Sequence, residues 1–296
     1  MILVTGGTGF VGSNLVRRLR KADLALRAVV RNPGKAQALK DIGVDVVEGD
    51  ISDKASLEKA AEGCERVVHL VGIIQETAGA DFRNVHVEGT RNVLEAARKA
   101  GARHFFYQSA LGTRPGAKSE YHKTKWEAEE LVRAGGIPYT ILRPSLIYGP
   151  GDQFTIRLSE MIRRSPVLPI IGSGKSRVQP IYIEDVVSCI VKAMTSDSFY
   201  NEMYEIGGPE QLTFEEVTAA IAKAIGVKRP AVHMPLFLVK SAARMLESVL
   251  PRPPLTTDQL IMLQEDNVCG MGDIRDAFGI EPVPFRDGLK NFISQK

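Results

Sequence analysis

Two periodicities alternate along the first half of the chain. Short continuous apolar runs are separated by longer stretches whose apolar residues recur every three or four positions. ILVT (2–5), LRAVV (26–30), VDVVEGD (44–50), RVVHLVG (66–72), HFFYQS (104–109) and PYTILRP (138–144) read as strands. Between them, residues 11–21, 82–101 and 121–135 read as amphipathic helices, and Pro33 suits a first helical turn. Strands joined through helices cannot be hairpins, so the pattern predicts a doubly wound parallel sheet with helices on both faces. Beyond residue 150 the alternation loosens and Pro and Gly become frequent. Residues 204–226 predict a strand, a turn and a helix opened by a Thr213–Glu216 capping box. The expected organisation is a large lobe over 1–150, rejoined by chain from about 178–208, and a smaller C-terminal α/β lobe over 151–296. Within the latter, PLFLVKSAARMLESVL (235–250) has an apolar face with Lys240 and Arg244 among its polar positions. It reads either as a helix packed on the lobe, or as a lid or a surface for a membrane or partner.

Composition narrows the classes. Of 296 residues, 44% are hydrophobic and 25% charged, the profile of a globular domain. A net charge of +3 with dispersed basic residues points away from nucleic acid. Cys64, Cys189 and Cys269 are widely spaced, which implies a reducing, cytoplasmic setting and no metal site. The first residues lack a signal-peptide pattern, and no apolar run has the length of a membrane span.

The first strand runs straight into VTGGTGFVG (4–12) and then a helix. Gly6 permits a tight turn, Gly9 lets backbone approach a pyrophosphate, and Gly12 allows close helix–strand packing. Thr8, Phe10 and Val11 lie in the same loop, where helix-start N–H groups would face a dinucleotide. The second strand ends in AVVRNPGK (28–35), without the acid that usually binds a ribose 2′-hydroxyl. Arg31 and Lys35 there suit a 2′-phosphate, so NADP(H) is expected over NAD(H). Asp50 and Ile51 after the third strand, and Val71 and Gly72 after the fourth, occupy the ends where such a ligand lies.

Tyr121 and Lys125 are one helical turn apart, on one face. A phenol beside an ammonium can shuttle a proton, and the lysine can also hold the nicotinamide ribose. With seven tyrosines, one such pair arises by chance in roughly a third of chains. Here it follows the strand expected to end near the nicotinamide.

The ordered set VTGGTGFVG, VVHLVG, NVHVEGTRNVLEAA, YHKTK, LRPSLIYGPGD, IYIEDV and YEIGGPE, over about residues 1–225, resembles the short-chain dehydrogenase/reductase superfamily. The match is to its extended and atypical branch of epimerases and dehydratases, nearest the NADPH-binding accessory subunit of respiratory complex I and its bacterial relatives. The resemblance implies a Rossmann domain with a small substrate lobe, and a nicotinamide backed by Pro144, Ser145 and Leu146. It also exposes departures. The substrate-polarising hydroxyl falls on Ala110, leaving Ser109 as a substitute. His86 stands where Asn is usual. Val178, not Arg, stands at the diphosphate-binding place, with Arg177 beside it. Tyr182 and Asp185 fall in the lobe connection, with a structural role. The resemblance thus implies an NADP(H)-dependent oxidoreductase or epimerase/dehydratase-like enzyme using Tyr121 and Lys125 on a small molecule held by the C-terminal lobe. The competing expectation is an NADPH-binding sensor or assembly subunit without turnover; a membrane or quinone-related partner is left open on either reading, with no residue that argues for it.

Overall fold

The computed structural model describes residues 1–293. In chain order it forms β1 (Ile2–Thr5), α1 (Phe10–Lys21), β2 (Leu26–Val30), α2 (Gln37–Lys40), β3 (Asp45–Glu48), α3 (Lys54–Ala61), β4 (Arg66–His69), α4 (Gly89–Lys99), β5 (His104–Gln108), α5 (Glu120–Arg133) and β6 (Tyr139–Pro144). The chain continues through β7 (Ile147–Tyr148), α6 (Gln153–Arg164), β8 (Leu168–Ile171), β9 (Arg177–Val178), β10 (Ile181–Tyr182), α7 (Ile183–Thr195), β11 (Glu202–Ile206), β12 (Leu212–Thr213), α8 (Phe214–Ala224), β13 (Ala231–Met234), α9 (Leu236–Val249), α10 (Thr257–Met262) and α11 (Phe285–Lys290). No helix among the described residues is long and apolar enough to cross a membrane.

Seven strands make one sheet in the order β11-β6-β5-β4-β1-β2-β3. Every pairing from β3 across to β6 is parallel. This is the expected doubly wound sheet. Its order reverses between β1 and β4, which is where such sheets open a crevice at their carboxyl ends. β1 is buried at all four residues because helices cover both faces, hence its unbroken apolar run. The main core packs Leu3, Val67, Phe105, Tyr107 and Ile141 of the sheet against Leu57, Val93, Ala128 and Val132 of α3, α4 and α5.

Two compact units emerge: Met1–Arg143 with Val187–Tyr204, and Pro144–Val186 with the chain from Glu205 onward. Short strand pairs β10–β7, β12–β9 and β13–β8 complete the chain. The Thr213–Glu216 capping box closes both of its bonds at the start of α8.

Two elements depart from the periodicity. The helix expected over 82–101 is continuous from 82 to 99 but changes register near its start. Arg83–Glu88 forms a widened π-helical turn, and the regular α-helical stretch runs from Gly89. In the predicted helix 235–250, only Ala243 of α9 is buried, so most of its apolar residues are not covered by any of the described residues. An amphipathic pattern records where apolar residues stand, not whether anything packs on them.

Candidate functional site

The glycine loop is built around one close approach. Gly6 sits at φ +80°, and a Cβ there would lie 3.1 Å from the Leu70 carbonyl carbon and 3.2 Å from Val71 N. The loop after β1 is thereby pressed onto the loop after β4. A Cβ on Gly12 would fall on the Gly6 carbonyl, so α1 approaches β1 only without one. Gly9 N donates to Gly6 O at 3.0 Å and caps α1 with no side-chain partner and no acid in the first turn. Thr8 and Gly9 are exposed, whereas Val11 and Gly12 are buried. The result is a helix N-terminus with positive dipole, lined by backbone N–H groups and open to an anion. These residues fit the pyrophosphate of a dinucleotide.

Arg31, just beyond β2, and Lys35 in the turn that follows are both exposed. Neither side chain makes a hydrogen bond or ion pair among the described residues, although Lys35 N donates to Asn32 O at 3.0 Å within the turn. The intervening Asn32 instead shapes the turn, its Oδ1 accepting from Gly34 N at 3.0 Å. Asp50 turns its carboxylate to Ser52, accepting from N at 2.9 Å and Oγ at 2.7 Å. Ile51 is clamped from beneath. Its carbonyl accepts from Asn92 Nδ2 at 2.8 Å, and its side chain occupies the place a Cβ on Gly89 would need.

Ser119 caps α5, its Oγ accepting from His122 N, and this sets Tyr121 in the first helical turn. The tyrosine ring is held edge-on by three others: His122 at 5.3 Å, His86 at 5.4 Å and Phe82 at 5.9 Å between centroids. Burial pushes its phenol up to about 12. One turn on, Lys125 Nζ donates to the Gln108 carbonyl at 2.9 Å and lies 4.9 Å from the Tyr107 ring centroid. Burial drives the ammonium down to about 8, while Glu129 one turn further along α5 works against that fall. A Cβ on Gly72 would be 3.1 Å from Lys125 Nζ, so the loop after β4 also closes on the lysine.

His86, at the place where Asn is usual, is wholly buried in the widened turn. Its Nδ1 is 2.9 Å from Thr124 Oγ1 and its Nε2 is 3.1 Å from Ile73 N. Thr124 Oγ1 donates in turn to the Glu120 carbonyl. A consistent assignment has the Nδ1 proton donated to Thr124 and Nε2 accepting from Ile73. Burial first, then Lys125, pushes the imidazole down to about 2, so it is neutral. His86 therefore ties the Gly72 loop to the Tyr–Lys helix.

Ser109 is buried at the end of β5. Its N donates to Leu142 O at 2.8 Å and its Oγ reaches Thr113 Oγ1 at 3.4 Å. The next residue, Ala110, offers no hydroxyl.

In the second unit, Ser145 Oγ bonds Asn267 Oδ1 at 2.6 Å and accepts from Gln179 N at 3.3 Å. Leu146 O accepts from Ile181 N at 2.9 Å, and Pro144 ends β6. Arg177 is held by Asp266, with Nη2 2.7 Å from Oδ2, and also reaches Gln211 at 3.2 Å. Its charge is already matched. Tyr182 packs on the Tyr148 ring at 5.4 Å, and the Asp185 carboxylate accepts from Val283 N.

The fold thus brings Gly6, Gly9, Gly12, Val71 and Gly72 together, and Tyr121 and Lys125 against the end of β5. His86, Asn92, Ser119 and Phe82 complete these surroundings. Of these only Ser119 carried a local signal, a serine just ahead of a helix.

Residues 2–207 match the NAD dependent epimerase/dehydratase family. The ceramide reductase of Caulobacter vibrioides is 35% identical over 79% of this chain and 74% of its own. Subunit 9 of the NADH dehydrogenase (ubiquinone) 1 alpha subcomplex of Arabidopsis thaliana mitochondria is 28% identical, over 89% and 68%. The expected kinship with complex I subunits therefore holds. Among solved structures, an NADPH-dependent quinone oxidoreductase from Escherichia coli, complexed with NADPH, superposes with a TM-score of 0.78. It is 20% identical over 98% of this chain and 99% of that one, a likeness of fold alone.

Proposed function

The chain belongs to the NAD dependent epimerase/dehydratase family, and on that premise we propose that it is an NADP(H)-dependent oxidoreductase acting on a carbonyl or alcohol of a small apolar substrate. The observation that carries the reading is the buried Tyr121–Lys125 pair, with the lysine anchored on the Gln108 carbonyl. When bound, the nicotinamide supplies or accepts the hydride. The chain's own part is to hold and move a proton. Tyr121 donates its phenolic proton to the substrate oxygen, or takes it back in oxidation. Lys125, with pKa near 8, is mostly charged at neutral pH and stabilises the phenolate that remains. The free Arg31 and Lys35 receive a 2′-phosphate.

An apolar substrate is favoured over a nucleotide sugar on two grounds. Arg177, next in sequence to Val178 at the diphosphate-binding place, is already paired with Asp266. A relative at 35% identity is named a ceramide reductase. A second reading, cofactor binding without turnover, draws on Ala110, which removes the hydroxyl that would polarise a substrate oxygen.

The test is a pair of variants. Tyr121→Phe should abolish turnover of a panel of apolar ketones and aldehydes while NADPH binds as before. Arg31→Ala should weaken NADPH roughly tenfold or more, the value of a charge-assisted bidentate contact, and leave NADH unchanged. Turnover surviving Tyr121→Phe removes the tyrosine from the chemistry. NADPH binding to a wild type that reduces nothing on the panel supports the second reading.

A further inference from the structure

Helix α9 presents to solvent what a helix normally hides. Of the ten large apolar side chains most exposed among the described residues, five belong to this helix and its C-cap: Phe237, Leu238, Met245, Val249 and Leu250. Phe237, Met245 and Val249 are each about two-thirds exposed or more, at 68%, 66% and 72%. At about 100° per residue, Leu238, Ala242, Met245 and Val249 share a single strip. The packed side of the helix, at Ala243, is nearly opposite the middle of the wider exposed arc that runs from Phe237 through Ser248, Ser241, Met245 and Leu238 to Val249.

Three features say what covers this strip. First, Lys240 and Arg244 lie together along the flank next to Phe237, both exposed and neither in an ion pair among the described residues. Second, the helix's one acid, Glu247, is turned away and used up. Its carboxylate accepts from Thr257 N at 2.7 Å and from the Thr257 hydroxyl at 3.1 Å. The exposed arc therefore carries cations and no acid. Third, both serines on the arc have spent their hydroxyl protons on the helix itself: Ser241 donates to Phe237 O at 2.9 Å and Ser248 to Met245 O at 2.7 Å. A hydroxyl bonded to its own backbone enters an apolar phase at little cost. Long cationic stems at the Phe237 edge of an apolar arc, able to reach outward while the arc sinks, are the makeup of an interfacial helix.

We propose that α9 docks on an anionic lipid surface, with Phe237, Leu238, Met245 and Val249 entering the acyl boundary and Lys240 and Arg244, at the Phe237 edge, pairing with headgroup phosphates. The helix lies in the plane of the surface and does not cross it. This docking stands independently of the reaction proposed above.

The full chain is tested by co-sedimentation with phosphatidylcholine vesicles and with mixed phosphatidylcholine–phosphatidylglycerol vesicles, at low and high salt. Sedimentation velocity reports its mass without lipid. The chain should pellet with the anionic vesicles, more weakly at high salt and far less with neutral ones. Lys240→Ala/Arg244→Ala should lower affinity for the anionic vesicles by on the order of tenfold or more. Leu238→Ser/Met245→Ser should abolish pelleting while its Tm and NADPH binding stay those of the wild type. The proposal is overturned by failure to bind anionic vesicles, by equal binding to neutral ones, or by pelleting that neither double variant alters. It is equally overturned if the lipid-free chain is a dimer that Leu238→Ser/Met245→Ser dissociates, for then a second copy covers the strip.

Discussion

Replacing Lys125 with methionine isolates what it takes to bury the ammonium of the candidate site. In the folded chain the amine is buried and its pKa falls from 10.5 to about 8. That fall corresponds to about 3 kcal/mol. At neutral pH the amine is charged in both states, so burial works against folding by that amount. As pH rises from 8 to 10.5, the folded chain gives up its proton first and the unfolded chain holds more protons. Stability of the wild type therefore rises through this window relative to a chain without the amine. Lys125→Met removes the burial cost but also the bond to the Gln108 carbonyl, itself about 1.5–3 kcal/mol for a charged donor. The two nearly cancel at pH 7, which makes the absolute stability a poor readout and the pH dependence the decisive one. Urea unfolding of both chains without cofactor, from pH 7 to 10.5, gives the difference directly. The difference also removes groups that titrate in the opposite sense in both chains, such as Tyr121 and Cys269, each pushed up to about 12 by burial. The variant should lose about 3 kcal/mol relative to the wild type across the window. A difference that stays constant with pH would refute the burial of a charged Lys125, and with it the electrostatic role assigned to this residue.

Other expected outcomes follow from neighbouring geometry. Gly12→Ala sets a methyl on the Gly6 carbonyl and should cost about 1–3 kcal/mol in urea unfolding, with NADPH titration showing lost affinity. Glu129→Gln leaves the nearly buried Arg143 guanidinium without the carboxylate it grips at 2.8 and 2.7 Å. A loss of about 3–5 kcal/mol is expected from chemical denaturation. His86, held neutral down to about pH 2, adds no ionisation to the activity profile between pH 5 and 8. His86→Gln should therefore lower kcat/KM without moving the apparent pKa values, which steady-state rates across pH would check.

Much of the sheet and half of the candidate site are local features. ILVT followed by a glycine triplet is a strand, a turn and a helix start wherever it occurs, because glycine spacing and apolar continuity act over a few residues. The Thr213 capping box and the Tyr121–Lys125 face belong to the same class, since helix geometry alone puts residues one turn apart side by side. His86 was visible only as a departure from a pattern. Its bonds to Ile73 and Thr124 join residues 13 and 38 positions away, and no local period records them.

The sequence by itself determined the order of strands and helices, the phosphate loop and the helical face carrying a phenol and an amine, all set by interactions within a few residues. Tertiary structure alone decided which charges are spent and which are free: Arg177 is matched by Asp266 and Glu247 is bound by Thr257, while Arg31 is left open. It also decided that Lys125 is buried and that α9 is not. The physical reason is common to both. A side chain's charge state and solvent exposure depend on which distant elements pack against it, and periodicity carries no record of that.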